Sequence, residues 1–205
     1  MTPVRPRSRR GEGLRLREEI LDATEDLLIE TGSEDAVSIR AVAEQVGVTP
    51  PAIYRHFADK QTLLYEVCSL QFTRLHEHLD AVMAREAEPT ERLRACGRAY
   101  VEFGLAHPEA YRIMFMSNSD WGPQTYEDEV LADQGAFMAL VRVVDEVIAG
   151  LGIEHDPFES SIVLWTAMHG ITSLLISKPN FPWPPVDRLV DDVCDAHLRG
   201  TFGQE

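Results

Sequence analysis

The sequence predicts an all-α protein: a small N-terminal head of three helices, then a larger helical C-terminal domain. Two observations carry this reading. Val37 to Lys60 has the caps, turn glycine and apolar spacing of two short helices joined by a tight turn, a helix-turn-helix. Downstream, apolar residues recur at helical spacing in successive segments, one of them apolar nearly all round. The expected division is a basic arm over 1–13, a head over 14–62 and a helical body over 63–205.

Residues 1–13 are rich in Pro, Arg and Gly and lack apolar periodicity, so they read as a disordered arm. Such an arm can lay arginines in a minor groove, and it reads equally well as a solvated tail. Leu16 to Thr31 is an amphipathic helix with Ile20, Thr24, Leu27 and Leu28 inward, closed by Gly32. Ser38 is an N-cap whose hydroxyl can accept from the first turn of the next helix. Ile39, Val42, Ala43 and Val46 make that helix's stripe, and Gly47 suits a left-handed C-cap. Thr49 caps the following helix, with Pro50 in its first turn, where a missing N–H costs nothing. Ile53 and Phe57, four apart, face inward and leave Tyr54, Arg55 and His56 outward. Asp59 then caps a long helix from Lys60 to about Ala87. Its Leu64, Val67 and Cys68 support the head, and Leu75, Leu79 and Val82 reach the second core.

Pro89 to Ala106 is the next helix, in which Gly97 and Gly104 mark close helix approach or room for a ligand. Pro108 to Met116 is a short helix, residues 117–124 a loop containing Trp121, and Tyr126 to Leu151 a helix striped by Phe137, Leu140, Val141, Val144 and Ile148. Asp156-Pro157 caps a helix reaching about Ser177. Its Ile162, Val163, Leu164, Trp165, Met168, Ile171, Leu174 and Leu175 leave no polar face, so burial on all sides requires a partner chain. A proline-rich turn with Phe181 and Trp183 leads to a last helix, Val186 to about Thr201. Two such helices from each of two chains make a four-helix homodimer interface.

The run Thr49-Pro50-Pro51-Ala52-Ile53-Tyr54-Arg55-His56-Phe57, followed by Asp59-Lys60 and Leu63-Leu64, resembles the DNA-binding head of the tetracycline-repressor (TetR) family over about Arg17 to Val67. One departure is Pro51, where many relatives carry Gly, which removes a backbone donor for a phosphate. Trp165-Thr166-Ala167-Met168-His169-Gly170, with His107-Pro108-Glu109-Ala110-Tyr111-Arg112 upstream, resembles the C-terminal domain of one branch of that family. The resemblance implies a homodimeric transcriptional regulator, a repressor released from a near-palindromic double-stranded operator by a small-molecule ligand. The residues alone leave two other readings open. One is a helical enzyme or small-molecule carrier, the other a protein-interaction module, each with the hairpin only structural. Salt-dependent binding to promoter DNA separates them.

Composition sets bounds. The chain of 205 residues is 44% hydrophobic, enough for a core, and no apolar run approaches the roughly 20 residues of a bilayer span. The basic N-terminus has no apolar stretch behind it, so it is not a signal peptide. Cys68, Cys96 and Cys194 form no CxxC pair and suit a reducing cytoplasm. The net charge of −15 is unevenly spread: residues 1–60 hold nine Lys/Arg against eleven Asp/Glu, the rest ten against twenty-three. The acidity thus belongs to the body, and beyond a Debye length of roughly 8 Å it is largely screened from DNA.

The spacing puts Tyr54, His56, Thr49 and Lys60 at phosphates, with Arg55 and the Pro50-Pro51 tip nearest base edges. Arg40 and the cap residue Ser38 complete the expected DNA-contact set. No catalytic motif is present: there is no Gly-x-Ser-x-Gly elbow, Walker loop or His-Glu-x-x-His. His76 and His78, two apart, point to different helix faces, so no metal site and no cofactor are expected. For the effector, Trp165 and His169 share a helix face, and Tyr100, Met114, Phe115, Trp121, Tyr126, Phe137 and Met168 supply apolar walls. The same residues also suit an ordinary core. The acidic body favours a neutral, cationic or apolar ligand.

Overall fold

The computed structural model describes residues 12–115 and 135–202. These residues form helices joined by short connections, with no strand among them. The helices are α1 (Glu12–Thr31), α2 (Ile39–Val46), α3 (Pro50–Ile53), α4 (Lys60–Met83), α5 (Pro89–Ala106), α6 (Pro108–Phe115), α7 (Ala136–Leu151), α8 (Pro157–Ser177) and α9 (Val186–Phe202). A short 3-10 turn, Glu34–Ala36, precedes α2. The described residues fall into two compact units, 12–71 with 109–115 and 72–108 with 135–202. Helix α4 runs unbroken from the first into the second.

The first unit is built around Ile20, Leu21, Thr24 and Leu28 of α1, Val42 and Ala43 of α2, Ile53, Phe57, and Leu63, Leu64 and Val67 of α4, all buried. Burying a side chain such as Ile53 or Phe57 contributes about 1.5–3 kcal/mol. Thr24 is tolerated there because its hydroxyl donates to the Ile20 carbonyl at 2.7 Å. Gly47 takes the left-handed C-cap conformation of α2 (φ 74°), and its N–H bonds back to Ala43 and Glu44 carbonyls. Arg17 ties α1 to α4: its guanidinium pairs with Glu66 and lies 5.1 Å from the Phe57 ring centroid. That arginine is therefore structural.

The second unit packs α5, α7, α8 and α9 together, with Leu93, Tyr100 and Val101 of α5 and Val144 and Ile148 of α7 meeting Leu164, Met168, Val190 and Cys194. At Gly97 a Cβ would lie 2.9 Å from Val190 Cγ1 and 3.3 Å from Met168 Sδ and Cε. Close helix approach is thus what this glycine serves. Outside the core, Arg98 Nη1 meets Asp191 at 2.6 Å and Arg94 pairs with Asp195 and with Glu91 (2.7 Å), joining α5 to α9. The Arg94 hydrogen bond holds the Asp195 carboxyl below its ordinary value. All three cysteines are buried and unbridged, and burial pushes the Cys96 thiol up to about 12 and the Cys194 thiol up to about 11.

Several expectations need adjusting. Helix α1 starts at Glu12 instead of Leu16, because its first turn is solvated (Leu14 is exposed) and leaves no apolar signature. Helix α4 ends at Met83, short of Ala87; the chain must reach the extended conformation of Glu88 that Pro89 imposes. Helix α8 (Pro157–Ser177) is, contrary to the expectation that no apolar run approaches a bilayer span, long and apolar enough for one by length and composition alone, and it has two sides. Ser160, Ser161, Leu164, Met168 and Thr172 are buried, while Phe158, Ile162, Val163 and Leu174 are exposed. Val190, on the last helix that was expected to contribute to the dimer interface, is fully buried within the protomer against the Gly97 position. The expected start of the seventh helix at Tyr126, and the loop over 117–124, lie outside the described residues.

Candidate DNA-binding head and effector site

The reading head is assembled by local bonds. Ser38 Oγ accepts from the Ala41 N–H at 3.1 Å, so its hydroxyl starts α2. Thr49 has the extended backbone of an N-cap, but its side chain makes no capping bond. Pro50 and Pro51 form the exposed tip of α3, which is a single turn continued by bonds from Tyr54 N–H to Pro50 O (3.2 Å) and Phe57 N–H to Ile53 O (3.1 Å). That turn anchors inward through Ile53 and Phe57 and projects Tyr54, which is 54% exposed, and Arg55. Arg55 Nε leans back to the Pro51 carbonyl at 3.4 Å. His56 is half-buried beside Phe57, with Cε1 4.0 Å from where a Gly13 Cβ would stand. Arg40 is exposed on α2.

Asp59 caps α4 by accepting from the Thr62 N–H (2.7 Å) and hydroxyl (2.9 Å), and these bonds hold its carboxyl below the ordinary value. Lys60 does more than its sequence position suggests. Its Nζ donates to the Glu34 carbonyl at 2.5 Å and so pins the start of α4 to the turn before α2. An ammonium has three N–H donors, so this bond leaves two for a phosphate.

In the second unit, aromatic side chains from three helices meet. Trp165 Nε1 on α8 donates to Tyr100 Oη on α5 at 3.2 Å. Phe137 of α7 stands edge-on to Trp165 (centroids 5.7 Å, 69°), an arrangement favoured by the ring quadrupoles. The Trp165 and His169 rings lie 6.3 Å apart. His169 is half-buried, and burial holds its imidazole below the ordinary value. Phe158, which sequence reasoning missed, closes the other side of Phe137 (5.4 Å, 81°). Its signal was available: it precedes Trp165 by seven residues, two helical turns on one face.

Not every expected lining residue joins this group. Met168 is buried against the Gly97 position. Met114 and Phe115 stand on α6, in the first unit, where Phe115 packs on Tyr111 at 4.9 Å. Trp121 and Tyr126 lie outside the described residues.

A helix-turn-helix with an exposed recognition turn and a separate helical unit holding an aromatic cluster is a regulator's arrangement. Comparison with known families decides it. The model of the tetracyclin repressor-like C-terminal domain matches residues 93–199, and that of the tetR family of bacterial regulatory proteins matches residues 20–67. The chain belongs to the TetR family. As a TetR-family protein it is a DNA-binding transcriptional regulator. It is 23% identical over 197 residues to the HTH-type transcriptional activator FasR of Mycolicibacterium smegmatis, covering 95% of this chain and 84% of that one. A solved protein of unknown function from Rhodococcus sp. RHA1 matches with a TM-score of 0.76 and 29% identity over 98% of both chains. The transcriptional regulator FadR of Bacillus subtilis, solved in complex with stearoyl-CoA, shares the fold (TM-score 0.72, 14% identity, 89% of this chain and 98% of that one).

Proposed function

We propose that this TetR-family regulator is a cytoplasmic homodimeric repressor, released from a near-palindromic operator when an apolar effector binds at the Trp165 cluster. The observation that carries the reading is the meeting of Tyr100, Phe137, Trp165 and His169. It supplies apolar ring faces with oriented polar atoms among them, the chemistry of a small-molecule site. Trp165 and His169-Gly170 then mark the branch of the family to which the body belongs, and the functional segments are the head at 14–62 and the body at 63–205. An effector carrying a long acyl chain would suit the apolar ring faces; the structural neighbour FadR was solved in complex with stearoyl-CoA.

The dimer reading is supported by the exposed side of α8. Val163, Thr166 and Leu174 are exposed along it, with the half-buried Gly170 between them at helical spacing, and a Cβ at Gly170 would meet open space. Two copies joined by α8 and α9 set two recognition turns about 34–36 Å apart, one helical turn of DNA. Helix α4 links head and body, so an effector that shifts its second half also moves Lys60. To take the protein from almost wholly bound to almost wholly released, the effector must favour the released state by roughly 10⁴-fold, or about 5.5 kcal/mol.

The test is Trp165→Ala. Operator affinity should stay nearly intact and the response to an effector that releases the wild type should vanish. A normal response in that variant places the effector site elsewhere.

A further inference from the structure

The second unit contains a cleft of about 390 Å³ between the end of α4, the start of α5 and α7. Its origin is legible in the residues. Ala84, just past the end of α4, and Ala139 on α7 contribute single methyl groups where their neighbours are long, which leaves a notch. Met83, Ala139 and Val143 are buried and make an apolar floor. The volume lies at the lower end of the roughly 300–1,000 Å³ typical of small-molecule sites. This is a different place from the Trp165 cluster. Ala139, Arg142, Val143 and Glu146 share one face of α7, and Phe137, two residues before Ala139, points about 200° around the helix from it.

The charges on the rim define what fits. The Arg92 guanidinium is spent within the protein: it pairs with Glu146 and donates from Nε to the Glu86 carbonyl (3.2 Å) and from Nη2 to the Ala87 carbonyl (3.1 Å). That use also answers the Glu146 charge. Arg142 has interactions of its own. Asp80 faces His76 at 3.4 Å, a neighbour charged only when protonated. Arg92 answers Glu146, and the Asp80 and Glu86 carboxylates stand at the rim above the apolar floor.

We propose that this cleft is a second small-molecule site, selective for an organic ammonium ion with a compact apolar body. The body rests on Met83, Ala139 and Val143, where the flexible Met83 thioether can adapt to a ring face. The ammonium donates to Asp80 and Glu86. The proposal does not depend on the effector reading above, because it uses the opposite face of α7.

The experiment is calorimetric titration of the full-length protein with 2-phenylethylammonium, 2-phenylethanol and 3-phenylpropanoate. The ammonium should bind about fivefold tighter than the alcohol, the scale of partly exposed ion pairs, and the propanoate should bind most weakly. Ala84→Leu, at an exposed position, should fill the notch and abolish ammonium binding. Glu86→Gln, also exposed, should bring ammonium affinity close to that of the alcohol even if Ala84→Leu folds poorly. Trp165→Ala should leave the titration unchanged; loss of binding there assigns the ammonium to the ring cluster and overturns the second site. Equal affinity for ammonium and alcohol, or no heat from either at millimolar concentration, also overturns it.

Discussion

Replacing Gly97 by alanine adds one methyl group where α5, α8 and α9 meet. The new Cβ falls 2.9 Å from Val190 Cγ1 and 3.3 Å from the Met168 thioether atoms. Carbon atoms rest comfortably at about 3.5–4.0 Å, so the methyl overlaps Val190 by about 0.6 Å. Met168 ends in a flexible thioether and can turn aside. Val190 is fully buried and stiff about χ1, so relief requires α9 itself to move. Alanine improves helix propensity by about 1 kcal/mol, whereas overpacking a filled core costs about 1–3 kcal/mol. The expected net change is a loss of up to about 2 kcal/mol. The sharper expectation concerns sign. In a Val190→Ala background the obstacle is gone, and Gly97→Ala should turn stabilising by about 1 kcal/mol. Urea unfolding followed by circular dichroism, at fixed protomer concentration because association contributes to stability, measures all four corners of the cycle. If Gly97→Ala stabilises the wild type as much as it stabilises Val190→Ala, the close approach is not what this glycine serves.

Tyr54→Ala should weaken binding to operator and random DNA alike. Lys60→Ala should lower the salt slope by about one unit and also loosen the head through loss of the Glu34 bond, by about 1 kcal/mol; operator titrations at several salt concentrations and a thermal melt check both. Leu174→Glu should dissociate the dimer with secondary structure intact, whereas Val190→Glu should unfold the body, since it buries a charge without a partner; sedimentation with circular dichroism distinguishes them, and a dimeric Leu174→Glu refutes the α8 seam. Burial holds His169 and His197 below their ordinary value, so their contribution to stability is full above the unfolded value of about 6.5 and is lost as pH falls from there towards the lower folded ones. His169→Gln should flatten that acid loss, and an unchanged pH profile of the unfolding midpoint counts against it.

The helix-turn-helix was legible because its signals are local. Ser38, Gly47, Ile53, Phe57 and Asp59 each act within one or two turns of chain, and the bonds and burial follow their spacing. What escaped the sequence depends on distant partners. Nothing near Lys60 announces that its ammonium reaches the Glu34 carbonyl, twenty-six residues back. Nor does the apolar spacing of α9 tell which apolar residue faces its own core; Val190 and Leu189 look alike until Gly97 is opposite one of them. Met168 and Trp165 sit three apart on α8, yet one fills the core and the other meets Tyr100 and Phe137. Solvated turns, such as the start of α1, leave no apolar trace at all.

The buried thiols turn the native protein into its own reporter. Cys68 belongs to the first unit, and Cys96 and Cys194 to the second. A thiol reagent can modify each only when the structure around it opens, so labelling rates read local opening free energies without any engineered probe. Peptide mapping after a timed pulse then gives separate clocks for the DNA-reading part and the regulatory body. Adding operator DNA should slow the Cys68 clock, and adding an effector should slow the other two.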